Sequence, residues 1–190
     1  METRVATLHE IRATLHAEHE HLWRLIGAVR HAQGEDRRAE LAALLRYLAV
    51  HEAAEEVAMH NAWVTDSTRE RLDEEREIAD VIERLVHAYA LRGSVPEPDV
   101  PTSTDSDDEF LVILDQLERS LRDHSEAEEN EEAPILAAEL SPEQLGDLLR
   151  LLLMVREMAG DAASPVAGES FATMRLAAQR EFKAAQRQVR

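Results

Sequence analysis

Residues 121–136 read LRDHSEAEENEEAPIL, one histidine and six carboxylates ahead of a proline. Upstream, Phe110, Leu114, Leu117 and Leu121 step along a 4,3 apolar seam, the inward stripe of an amphipathic helix. The same rhythm carried forward lands on His124, Glu128, Glu131 and Ile135. The stripe therefore turns from leucine to histidine and glutamate halfway along one helix. Carboxylates buried together without a cation cost several kcal/mol each. The pattern thus implies a compensating positive charge inside the fold.

The rest of the chain repeats the pattern. Its 190 residues suit one domain with a sizeable core, Gly and Pro are few, and no alternating β-branched run suggests a strand. The periodicity predicts helices over about residues 3–31, 36–63, 67–91 and 106–139. Ser67-Thr-Arg-Glu70 and Ser106-Asp-Asp-Glu109 read as capping boxes. Ser141-Pro-Glu-Gln144 and Ser164-Pro165 each set a cap before a first-turn proline and predict two further helices. The expected fold class is all-α: an antiparallel up-down-up-down four-helix bundle over residues 1–140, with a helical extension over 141–190 packed on or beside it. The last helix carries Arg175, Arg180, Lys183, Arg187 and Arg190, which read as a solvated basic face, with partner docking or self-docking as the alternative.

Each of the four bundle helices interrupts its stripe with a residue type that binds metals. His19 lies between Leu15 and Leu22, and His51 and Glu55 follow Leu41, Leu45 and Leu48. Glu75 occupies a seam position of the third helix, ahead of Ala79, Ile82 and Val86, and His124 with Glu128 belong to the fourth. At about 1.5 Å of rise per residue, counting from the connecting turns puts all six within about two turns of one level. His-x-x-x-Glu spacing sets both side chains on one helix face, as chelation requires. Two divalent irons bridged by carboxylates would supply the missing charge, and the core of a helix bundle is an established place for such a pair.

These residues resemble the haemerythrin-like family, the HHE cation-binding domain. His19-Glu-His-Leu22-Trp-Arg-Leu25-Ile26 is similar to the family's first-helix motif, His51-Glu-Ala-Ala-Glu55-Glu56 to its second, and His124-Ser-Glu-Ala-Glu128-Glu129 with Pro134 to its fourth. The resemblance covers roughly residues 8–138 and departs in two places. Glu74-Glu75-Arg76-Glu77-Ile78 has no histidine where the family usually places one, and Glu75 aligns there, with Glu74 or Glu77 as alternatives. His60-Asn61 replaces the usual aromatic–proline pair. The resemblance implies a non-haem di-iron protein. Three histidines with three carboxylates make a harder donor set than that of the His-rich oxygen carriers, admit manganese, and favour oxygen or peroxide turnover over reversible carriage.

The remaining features narrow the function. A formal charge of −18 argues against nucleic acid or an anionic membrane as partner. With no cysteine there is no disulfide, thiolate nucleophile or iron–sulfur cluster. No stretch approaches the roughly 20 apolar residues of a membrane span, and METRVATLHE lacks an apolar signal core, so the expectation is a cytoplasmic protein. The expected function is reaction with O2, peroxide or nitric oxide at the iron pair. The alternative is an iron or oxygen sensor signalling through the C-terminal helices. Tyr47 reads as core packing, and His60 as a side chain behind the ligands. His9, His31 and His87 read as surface residues, and Glu126, Glu129, Glu131 and Glu132 mostly as solvated charge, with Glu131 on the inward seam.

Overall fold

The computed structural model describes residues 7–60, 66–92, 104–161 and 170–189. Among them every regular element is a helix. Helix α1, Leu8–His31, starts later than the periodicity suggests because Thr7 caps it. The Thr7 hydroxyl accepts from the Glu10 amide at 3.2 Å and the Glu10 carboxylate accepts from the Thr7 amide at 3.0 Å, so two otherwise open amides are satisfied reciprocally. α1 ends at an extended Ala32, and Gly34 at φ +54° reverses the chain into α2, Gly34–Glu55. A side chain at residue 34 would meet no neighbour, so the requirement for glycine here is one of backbone conformation.

α2 does not run on as a plain α-helix toward residue 63. At Glu56–His60 it widens into a π-turn, and α3 follows over Asp66–Arg92. α4 spans Thr104–Ala127, opening two residues before the expected Ser106 cap. It passes through a second π-turn at Glu128–Glu132 into α5, Ala133–Glu139. α6 covers Pro142–Asp161, capped as predicted by the reciprocal Ser141 and Gln144 contacts. α7 covers Phe171–Val189 and is capped by Ser170, whose hydroxyl accepts from the Thr173 amide. The side chains of the 67–70 box and the Ser164-Pro165 pair lie outside the described residues.

The second π-turn corrects the seam. A π-turn takes about one extra residue per turn, so the inward stripe proceeds His124, Glu128, Glu132, Leu136 in steps of four. Glu132 and Leu136 are each 1% exposed. Glu131 and Ile135, expected inside, face outward. In α3 the stripe runs through Ile78, Ile82 and Leu85, and Val86 is exposed. In α2 it runs through Leu44 more deeply than Leu45.

The core is continuous, built on Ile11, Leu15, Leu22 and Ile26 of α1, Leu44 and Leu48 of α2, Ile78, Ile82 and Leu85 of α3, and Phe110, Leu114, Leu117 and Leu121 of α4. α2 is enclosed by α1, α6 and α7, while α3 lies on α4 and α4 on α1. Every residue of α2 from Tyr47 to Glu55 is consequently buried. Arg30 ties α1 to α4 through Glu118 at 2.8 Å and Asp115 at 2.6 Å. No helix of the described residues is long and apolar enough to cross a membrane.

Candidate metal centre

Leucine gives way to polar side chains at the same place on three helices. His19, His51 and His124 are 1–2% exposed, and Glu55 and Glu128 are fully buried. The imidazoles turn their Nε2 atoms toward the two carboxylates. His51 Nε2 lies 3.2 Å from Glu55 Oε1, its i+4 partner on α2. Glu128 faces two histidines at once, with Oε2 3.3 Å from His19 Nε2 and Oε1 3.3 Å from His124 Nε2. His19 Nε2 is 3.9 Å from Glu55 Oε1. The His19 and His51 rings meet edge-on, with centroids 5.2 Å apart.

Two overlapping donor groups result. His19, His51, Glu55 and Glu128 offer ligand atoms within 4.8 Å of one another, and so do Glu52, Glu55 and His124. Glu55 belongs to both. A nitrogen and an oxygen bound to one first-row cation at about 2.0–2.2 Å lie about 3.0–3.4 Å apart. Three of the four contacts fall in that range, and the fourth is longer. The donor set therefore fits a transition-metal cation.

The other ring nitrogens fix the imidazoles. His19 Nδ1 is 2.7 Å from Glu129 Oε1, and His124 Nδ1 is 3.0 Å from Glu74 Oε2. A proton held at Nδ1 by a carboxylate leaves Nε2 as the inward atom and raises its basicity. Burial is the largest influence on His19 and acts downward. The hydrogen bonds and charges of Glu128 and Glu129 outweigh it, so its pKa ends above the ordinary value. His124 is likewise lowered by burial but raised further by the Glu128 charge and hydrogen bond, the Glu74 hydrogen bond and the Glu52 charge, and ends well above the ordinary value. For Glu129, burial pushes upward, yet contact with His19, helped by His16, holds the carboxyl below its usual range. In the metal-free protein the His19 and His124 shifts both favour the protonated form of these two imidazoles beside the buried carboxylates.

Of the six residues singled out from the sequence, the structure brings His19, His51, Glu55, His124 and Glu128 together. Glu75 is buried on α3 but belongs to neither donor group, and its Oε2 lies 3.3 Å from Arg175 Nη1 of α7. Its neighbour Glu74 holds the His124 ring. Glu52 and Glu129 were missed as working members of the cluster, and Glu74, considered only as an alternative to Glu75, works by holding a ring. Each adjoins a residue already on an inward seam or one position from it, and about 100° of rotation lets the neighbouring carboxylate reach the next helix. Glu132 is buried, and Glu129 engages His19, so neither is solvated charge. Arg175 is likewise drawn out of the expected solvated face.

Among the remaining histidines, His9, His31 and His87 are exposed, and the His60 side chain lies outside the described residues. Tyr47 is buried, donates its hydroxyl proton to Glu18, and lies nearly parallel to the His51 ring at 6.3 Å between centroids.

No curated protein and no solved structure matches the chain significantly. The family profile of the hemerythrin HHE cation-binding domain matches residues 10–136, which span α1 to the first half of α5 and every residue of both donor groups. Such domains bind metal cations, and by this match the chain belongs to the hemerythrin HHE cation-binding family.

Proposed function

We propose that the protein binds two iron ions side by side, with manganese as a second possible occupant, and that the loaded centre reacts with O2, peroxide or nitric oxide. The observation that carries this reading is the sharing of carboxylates. Glu55 belongs to both donor groups, and the two oxygens of Glu128 face different histidines. A single cation has no use for a carboxylate opened in two directions, whereas an adjacent pair does. His19, His51, Glu55 and Glu128 would hold one ion, and His124, Glu52 and Glu55 the other, with Glu128 reaching across. In this reading α1–α4 form an up-down-up-down bundle over residues 1–140, and residues 141–190 are an extension laid against it.

A bound iron pair supplies the electrons and open positions that small oxidants need. The chain's own contribution is positional. Glu129 and Glu74 hold the His19 and His124 rings, while Leu15, Leu22 and Leu121, each about a turn from a donor and buried, keep bulk water out. Histidine protons must leave as cations enter, because a metal ligand is a deprotonated nitrogen.

The packing of α7 on α2 and α3 supports the second reading, a sensor whose metal occupancy is passed to the C-terminal helices. One preparation separates the readings. About two irons per chain, with near-ultraviolet charge-transfer bands after aerobic loading, are expected for either. Catalytic loss of added peroxide supports the reactive centre. Stoichiometric spectral change without turnover, together with altered protease protection of α7, supports the sensor. A purified chain that takes up neither iron nor manganese overturns both.

A further inference from the structure

The chain holds two tyrosines, and their hydroxyls meet different chemistry. Tyr89 donates a hydrogen bond to a backbone carbonyl, that of Gly34, at 3.2 Å. Tyr47 donates to the carboxylate of Glu18, and both of these residues are buried. The Tyr47 ring lies nearly parallel to the imidazole of His51, a member of the first donor group, with centroids 6.3 Å apart. It also meets the His21 ring at 4.4 Å between centroids. His21 is half-buried, and its Nδ1 lies 3.1 Å from the guanidinium of the exposed Arg24. The rings of His51, Tyr47 and His21 thus follow one another from the donor groups to the surface of α1.

A buried phenol needs a hydrogen-bond partner, and any acceptor would satisfy it. A carboxylate can do more, because it can keep the proton. A phenol that has lost an electron is a very strong acid, so it is oxidised readily only where a base within hydrogen-bond reach takes the proton in the same step. The carbonyl facing Tyr89 is no such base. From this geometry we propose that Tyr47 is a redox-active residue, which returns one electron to the loaded centre after hydrogen peroxide has oxidised it and then draws an electron from a soluble phenol at the His21 surface. The proposal rests on the reactive metal centre proposed above. In the first step the Tyr47 O–H bond breaks, the proton moves to Glu18, and the electron leaves through the stacked His51 ring. A neutral phenoxyl radical and a protonated Glu18 remain. In the second step the external phenol gives up an electron through His21 and its own proton to water, and Tyr47 recovers its proton from Glu18. Two such rounds turn one peroxide and two phenols into two waters and two phenoxyl radicals. The formal charge of −18 opposes anionic reductants, so a neutral phenol is the fitting donor.

The test is electron paramagnetic resonance of full-length, iron-loaded protein, freeze-quenched after mixing with hydrogen peroxide. Wild type should give an organic radical whose hyperfine pattern narrows when ring-deuterated tyrosine is incorporated. Tyr89→Phe should keep that signal. Tyr47→Phe should lose it while retaining iron content and the near-ultraviolet bands, an outcome that a packing role alone does not produce. Glu18→Gln keeps an acceptor but not a base, and should slow radical formation about a hundredfold. Added hydroquinone should discharge the wild-type radical. The proposal is overturned by a wild type that loads iron and consumes peroxide without a radical, by a radical that persists in Tyr47→Phe, or by one that hydroquinone leaves untouched. A visible phenolate-to-iron band that disappears in Tyr47→Phe would put the oxygen on the metal and overturn it too. If Tyr47→Phe does not fold by circular dichroism, deuterated wild type and Tyr89→Phe carry the test, and a signal that ignores deuteration or vanishes with Tyr89 sinks the assignment. A wild type that takes up no iron, or that takes it up and leaves peroxide unreacted, overturns the reactive centre itself, and this inference with it.

Discussion

Replacing His124 by alanine strips the second donor group of its one imidazole and leaves the first group's four side chains in place. In the metal-free protein that ring faces Glu128 at 3.3 Å and Glu74 at 3.0 Å, and its pKa is held well above the ordinary value, so the contact removed is that of a buried charged pair. Removing one member of such a pair costs about 3–5 kcal/mol. At about 2–4 °C per kcal/mol for a chain of this length, the melting temperature should fall by about 6–20 °C in chelator. Metal content by mass spectrometry should fall from about two ions per chain toward one. If the affinity of the damaged site also drops about a hundredfold, the stabilisation by added metal shrinks by about 2.7 kcal/mol, and the gap between the two proteins widens in loaded samples. The exposed His87→Ala variant should match wild type in both readouts. Two ions per chain retained in His124→Ala, or a melting temperature within about 1 °C of wild type, would refute the reasoning.

Three other outcomes follow from the geometry. Glu129→Gln and Glu74→Gln leave every proposed metal-binding atom in place but loosen the rings they hold, so each should weaken metal binding about 10–100-fold with the stoichiometry kept at saturating metal; unchanged affinity in calorimetry would count against the orienting role. Because His19 and His124 bind protons more tightly in the fold than when unfolded, their contribution is full below about pH 6.5 and is lost as the pH rises through their raised values. Chelated protein should therefore melt at lower temperature at pH 9 than at pH 6, whereas metal-loaded protein should gain affinity as the pH rises, and scanning calorimetry across that range reads both. Leu136→Ala should cost about 2–5 kcal/mol in urea unfolding and Ile135→Ala less than about 1 kcal/mol, since the π-turn sends Leu136 inward; equal costs would contradict the shifted register.

The helical class and much of the cluster were legible from spacing alone. A stripe at helical period fixes which side chains share a face, and the step from Leu121 to His124 and Glu128 survives in the fold with all three buried. The same holds for His19 between Leu15 and Leu22, and for His51 with Glu55. The reading failed where the period itself changes. Nothing in EENEE marks a π-turn, and extrapolating the 4,3 step past Glu128 selected Glu131 and Ile135 in place of Glu132 and Leu136. Glu75 is buried as its seam position implies, but one residue it meets, Arg175, is 100 residues away, beyond any local pattern.

By itself, then, the sequence determined the helices and the inward direction of the His and Glu side chains, because both depend on the rotation per residue within one element. Only the tertiary structure decided what those side chains meet. The enclosure of α2 by α1, α6 and α7 buries Glu52, which a two-sided helix would leave in water. The rotation of α3 against α4 gives Glu74 to His124, and α7 brings Arg175 to Glu75. A buried charge must find a counter-charge wherever the packed helices present one, and that choice belongs to the assembled fold, not to any single segment.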